Sequence, residues 1–339
     1  MLTLQYQKYQ FILLKYEVSM KISPTATYKL TLLWAFAESG LGGLLHALHV
    51  PVTGFVLGAF AVVIISLLAR YAEHPTRDIL TATFLVMAVK FTVSPHTPLP
   101  AYVAVLFQGC SGALLFYLLR YHAFSLILFS MLAMIESAIQ KPLLATLVFG
   151  KEIWLAIDEY MQKLLGSFSN QSFEHFSFYL LIGYTCLYAI WGVVVGVWAN
   201  TLPEKLTTIA IDEKQMNAVQ PLPVVNKKKR WIFLTFFLLV LALLTLYVID
   251  LPEPLRYLLR TIAILFVLYF VVNPLLRYLL KKFATRQQVF INDFYRSLPA
   301  LKTTVQKANQ YAATKKGLAN RLSAFVICLL YLNLQDGAY

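Results

Sequence analysis

The residues that could do chemistry in this chain are polar side chains placed within long apolar stretches. An ionisable group is costly in hydrocarbon, so those retained there usually face a cavity or a partner and mark a functional site. Acids, lysines, amides and imidazoles together suit the binding of a small polar solute. The predicted substrate-binding residues are Glu38, His46, His49, Lys90, His96, Gln108, Glu136, Gln140 and Lys141.

Helical spacing brings several of these groups onto common faces. Glu38, Gly42 and His46 recur every four residues, as do Glu136 and Gln140, and residues four apart share one side of a helix. Imidazoles with a carboxylate could also hold zinc, nickel or cobalt, but the spacing matches no metal motif and no metal or cofactor is predicted. A simpler alternative is that the acids pair with the lysines to link helices.

The elements that must position these residues are membrane-spanning helices. The 339-residue chain is 59% hydrophobic and 13% charged, with a mean hydropathy of +0.66, which is more apolar and less charged than a soluble domain. The sequence predicts an all-α, polytopic transmembrane bundle of about eight spans, each near the length that crosses a bilayer. They are 28–49, 54–71, 78–94, 100–119, 123–148, 176–199, 231–249 and 255–279.

Positive charge predicts the orientation of the bundle. Lys and Arg accumulate in cytoplasmic loops, and most of the 29 basic residues fall on one side when both termini are cytoplasmic. In this orientation the candidate site residues gather toward the outer half of the membrane, as expected of a pocket that opens outward. The net charge of +13 does not indicate nucleic acid, because no recognition-fold signature accompanies it.

Proline and charge divide the chain into five predicted segments. Residues 1–27 are predicted to form a cytoplasmic or interfacial segment. Within it, Met20 followed by a polar stretch is typical of a native start. A six-span unit follows, and residues 151–165 within it alternate as an external interfacial helix does. The segments are 1–27, the six-span unit 28–200, a cytoplasmic linker 201–230, a transmembrane hairpin 231–280 and a basic amphipathic tail 281–339.

The tail combines positive charge with apolar periodicity. Residues 281–321 carry nine Lys and Arg residues against one acid, Asp293, while Phe290, Phe294, Leu298 and Leu301 recur at helical spacing. One interpretation is a helix lying on anionic lipid, and the other is docking onto a cytoplasmic partner. The final apolar stretch, 322–334, is short for a span and is predicted to pack or to lie in the interface.

Small residues form a second series on the first span. A stripe of this kind lets another helix approach closely, which is the usual device for helix packing in lipid. The stripe consists of Ala35, Ser39, Gly43 and Ala47. Shorter pairs, predicted to serve packing within the chain, are Gly54 with Gly58 and Gly192 with Gly196.

Residues 28–200 resemble the substrate-binding S component of energy-coupling factor (ECF) vitamin transporters. The likeness lies in the six spans, the small stripe, the reversal at 51–54 and the stretch 101–109. The resemblance implies a solute-binding component for uptake of a small water-soluble nutrient, in the bacterial plasma membrane. It also implies docking through the small stripe onto a transmembrane T component driven by cytoplasmic ATPases. Residues 201–339 depart from that pattern.

The sequence does not predict an enzyme. Its spans lack the closely paired acids of a membrane enzyme acting on lipid, and no phosphate-binding loop occurs, so any ATP hydrolysis would belong to separate subunits. Two alternatives to solute uptake stay open. One is a non-catalytic membrane scaffold whose basic tail recruits a partner, and the other is a membrane enzyme acting on lipid.

Overall fold

Helices form every regular element in the part of the chain that the structure, a computed structural model, describes: residues 24–41, 53–94, 97, 99–166, 175–208 and 253–334. The predicted all-α fold class is confirmed over these ranges. The elements are α1 (Pro24–Phe36) with a π-helical turn (Ala37–Leu41), α2 (Thr53–Tyr71), α3 (Pro75–Val93), α4 (Leu99–Leu119), α5 (Ala123–Phe149), α6 (Glu152–Gly166), α7 (Phe176–Thr208), α8 (Glu253–Phe266) with a π-helical turn (Val267–Val272), α9 (Asn273–Arg286), α10 (Gln288–Ala313) and α11 (Leu318–Leu334).

Five helical stretches are long and apolar enough to cross a membrane. They match the second, fourth, fifth, sixth and eighth predicted spans and are Gly54–Tyr71, Leu99–Leu119, Ala123–Phe149, Phe176–Thr208 and Thr261–Arg286. α3, which corresponds to the third predicted span, has a suitable length of 19 residues but is not among the five, because it carries three charged residues, Arg77, Asp78 and Lys90. The predicted seventh span lies outside the described residues. The described part therefore supports a multi-span helical membrane protein.

The sixth span extends further than predicted. α7 continues to Thr208, past the boundary at 200 where the linker was expected to begin. Leu202 and Leu206 are both buried in the hydrophobic core. Because these apolar residues lie four apart on one helix face, their burial keeps the chain helical into the predicted linker.

Glycines allow α7 to lie directly against α5. A Cβ added at Gly192 would lie 2.7 Å from the Cα atom of Met131, and one at Gly196 would lie 2.8 Å from the Cα atom of Ile127. Real side chains do not approach backbone this closely, so only glycine fits at these two contacts. The predicted use of this pair for packing within the chain is confirmed.

The apolar face of the tail packs on protein. Phe290, Phe294 and Leu301 are buried, and α10 contacts α11, α1 and α3. The Tyr28 hydroxyl donates a hydrogen bond to Asp293 Oδ2 at 2.7 Å, which fixes the start of α10 on α1. The interpretation that this apolar face lies on lipid is therefore wrong, because neighbouring helices already cover it.

Candidate functional site

A buried ion pair joins three of the helical segments. Lys90 Nζ lies 2.6 Å from Glu38 Oε2, and the two side chains are only 4% and 7% exposed. The ammonium group also donates to the carbonyl oxygen of Ala101 at 3.3 Å. The pair thus links the π-helical turn after α1, the end of α3 and the start of α4.

Both charged groups lie at the ends of described helical segments. Glu38 lies within the π-helical turn that follows α1. Lys90 lies in the last turn of α3, where the partial negative charge of a helix C-terminus favours a cation. The hydroxyl of Ser94, which caps α3, donates to the carbonyl oxygen of Ser39 at 3.1 Å. That bond fixes the two segments in register.

An amide on α5 links this helix to the beginning of α4. Gln140 Nε2 donates to the carbonyl oxygen of Pro100 at 2.6 Å and to Glu136 Oε1 at 3.2 Å. The spacing of four between the two side chains therefore produces the shared face that the sequence predicts. The second carboxyl oxygen of Glu136 is buried without a hydrogen-bond partner among the described residues.

The ion pair and Gln140 line a cavity of about 290 Å³, whereas Glu136, a predicted site residue, is not part of the described lining and contacts it through Gln140. Five of the nine predicted site residues line it: Glu38, Lys90, Gln108, Gln140 and Lys141. Gln108 is 3% exposed, and its side-chain carbonyl oxygen has no donor in the described part of the chain. A buried acceptor without a partner is rare in folded proteins, so a bound group that donates a hydrogen bond would satisfy it.

Two tyrosines complete the cavity wall and were missed from the sequence. Tyr184 and Tyr188 on α7 line the cavity, and their hydroxyl groups are hydrogen-bonded at 3.1 Å. Phe55 packs edge-on against Tyr188 and stacks on Trp191, with ring centroids 4.6 Å apart in the stack. The spacing of Tyr184, Tyr188 and Trp191 along one face of a span was the available signal, but no individual aromatic residue was predicted to line the pocket.

The remaining predicted residues are either outside the described ranges or buried. His46, His49, His96, Gly43 and Ala47 lie outside the described residues. Ala35 and Ser39, the first two members of the small stripe, are buried within the bundle. These two small residues therefore serve packing inside the chain and are not exposed to a docking partner here.

Lys141 adds an exposed cation to the cavity lining. Glu38 and Lys90 compensate one another, whereas Lys141 has no carboxylate within ion-pair distance among the described residues. No group of three or more His, Cys, Asp or Glu side chains converges in the described ranges. The described lining therefore offers hydrogen bonds and one uncompensated cation to a ligand.

Comparison with family models, curated proteins and solved structures finds no match for this chain.

Proposed function

We propose that this chain is a membrane-embedded binding component for a small polar solute. The observation that supports this proposal is a cavity lined by Gln108, a residue whose buried side-chain carbonyl oxygen has no partner among the described residues. At about 290 Å³ the cavity has the size at the lower end of ligand pockets in proteins. A compact solute suits that volume.

The lining specifies what such a solute would carry. Gln108 needs an N–H or O–H donor, and the ammonium group of Lys141 favours an acidic or strongly accepting group. The rings of Tyr184 and Tyr188 offer an apolar wall to a flat part of the ligand. We therefore expect a small acid with at least one hydrogen-bond donor, a description that several water-soluble nutrients meet.

The finer proposal is uptake of an energy-coupling factor type. It is supported by the resemblance of residues 28–200 to S components and by the distribution of Lys and Arg, which favours a cavity opening toward the outside of a bacterial plasma membrane. A T-component-like membrane subunit and separate cytoplasmic ATPases would drive transport. Because Ala35 and Ser39 are buried, docking would have to use a surface other than these two residues.

The test is to detect the ligand and then remove the group that binds it. Native mass spectrometry of the detergent-purified full-length protein should show a small-molecule adduct, and a panel of water-soluble vitamins should contain a compound that raises the melting temperature. A ligand at a hundred times its dissociation constant stabilises the folded state by about 2.7 kcal/mol. Gln108→Leu should abolish the adduct and the stabilisation.

Ser66→Ala is the matched control, because it removes another buried hydrogen-bonding group without a partner in the described residues, on α2 and outside the cavity lining. It should retain ligand binding. Absence of any adduct, together with no stabilisation across the panel, would refute the proposal.

A further inference from the structure

The C-terminal helices expose positive charge that the described part of the chain does not neutralise. Eight cations in this region are exposed: Lys281, Lys282, Arg286, Arg296, Lys302, Lys315, Lys316 and Arg321. The single acid among them, Asp293, lies 3.8 Å from Arg296 and also accepts the hydrogen bond of Tyr28. An anionic partner would compensate the remaining charge.

Lys315 and Lys316 lie on the turn between α10 and α11, and Arg321 lies in the first turns of α11. Arg321 Nε donates to the carbonyl oxygen of Lys315 at 2.9 Å. Asn320 Nδ2 donates to the carbonyl oxygen of Lys316 at 3.1 Å, and Gly317 has a φ of +85°, which favours glycine. These hydrogen bonds hold the backbone of the turn that carries Lys315 and Lys316.

The beginning of α11 contacts α7, a helix long and apolar enough to cross a membrane. Trp198 lies about 33 Å along α7 from Phe176 at the helical rise per residue, and the hydrocarbon core is about 30 Å thick. Trp198 therefore lies about one hydrocarbon thickness from the start of α7, and tryptophan is enriched at the membrane boundary. Its Nε1 donates to Ser323 Oγ at 3.3 Å, which places the beginning of α11 at the same level.

Two large apolar side chains are exposed beside the cations. Leu318 is 78% exposed and Leu322 is 57% exposed, and their spacing of four places them on one face of α11. Farther along this helix Leu329 and Leu330 are buried. Basic residues combined with exposed apolar residues are characteristic of a surface that inserts into the headgroup region.

We propose that the α10–α11 turn binds anionic phospholipid headgroups, with Lys315, Lys316 and Arg321 contacting phosphates and Leu318 and Leu322 entering the acyl boundary. A nucleic acid would use the charges but would leave the leucines in water. The position of Ser323 beside Trp198 favours lipid as the anionic partner.

The experiment follows the turn with an environment-sensitive fluorophore. Ala319→Cys is labelled in a Cys110→Ala/Cys186→Ala background, because these two cysteines are exposed while Cys328 is buried. The full-length protein is placed in nanodiscs of phosphatidylcholine with increasing phosphatidylglycerol. The emission should shift to shorter wavelength as phosphatidylglycerol increases, and high salt should reverse the shift.

Lys315→Gln/Lys316→Gln should weaken the apparent affinity for phosphatidylglycerol by roughly 30-fold, since each cation near an anionic surface contributes about a fivefold factor. Lys151→Gln/Lys163→Gln is the matched control, because it removes the same charge from exposed positions near the opposite end of α7. It should leave the titration unchanged. An emission insensitive to phosphatidylglycerol, or an equal effect of both double variants, would overturn the proposal.

Discussion

Lys90→Met should destabilise the protein by about 3–5 kcal/mol, because it leaves a buried carboxylate without its partner. At the observed separation of 2.6 Å, the Coulomb attraction is about 6 kcal/mol for an effective dielectric constant of about 20. Desolvation of both charges offsets much of this attraction. The isolated Glu38 carboxylate, 7% exposed, would keep its desolvation cost and lose the attraction.

A double-mutant cycle separates this pairing from other effects of the substitution. Glu38→Gln/Lys90→Met leaves no buried charge at the pair, so its stability should lie closer to the wild type than that of Lys90→Met alone. We expect a coupling energy on the order of 3 kcal/mol, which is far above the few tenths that independent sites show.

The assay is reversible unfolding of the full-length protein in mixed micelles, followed by circular dichroism at constant detergent composition. Lys205→Met is the control, because Lys205 is exposed on α7, and such changes usually stay within about 0.5 kcal/mol. Strictly additive single-variant effects would show that the ion pair does not couple these segments. Unchanged stability in Lys90→Met would refute the assignment of Glu38 as a buried carboxylate.

Two further outcomes can be measured in the same assay. Gly196→Ala should lower the free energy of unfolding by about 1–3 kcal/mol, because its new Cβ meets the backbone of Ile127. Gly183→Ala is the control, because its Cβ meets nothing within 4 Å and should not destabilise the protein. Equal effects of the two variants would contradict the close packing of α5 and α7. Burial raises the pKa of Tyr121 to about 12, against the opposing influence of Arg70. Because burial disfavours the charged form of Tyr121, the contribution of this residue to stability should be lost as pH rises from about 10 to about 12, and Tyr121→Phe should reduce the pH dependence relative to the wild type.

The sequence predicted several of the polar side chains that lie together, because the cost of polar groups in hydrocarbon is a strong signal. Glu38, Lys90 and Gln108 stand out among apolar neighbours, and the structure gathers them around one cavity. The alternative that an acid pairs with a lysine is also realised, since Glu38 and Lys90 form both the ion pair and part of the lining. The tyrosines gave a weaker signal, because aromatic residues are common in spans that face lipid.

Amphipathic periodicity could not identify what covers the tail. The pattern of Phe290, Phe294 and Leu301 correctly indicates a helix with one buried face. A helix period specifies which residues are buried together, but it contains no information about whether lipid or protein buries them. The distinction depends on contacts distant in the chain, such as that between Tyr28 and Asp293.

α1 is the element that the cavity and the C-terminal helices share. The π-helical turn after α1 carries Glu38 into the cavity lining. The first turns of α1 contact α10 through the hydrogen bond of Tyr28. They contact α11 through the carbonyl oxygen of Lys29, which accepts a hydrogen bond from Asn333 Nδ2 at 3.1 Å. A solute in the cavity could change the conformation of the C-terminal helices only if the solute bound one arrangement of α1 more tightly than another. The contacts at both ends of α1 are therefore the places where such a difference would have to arise.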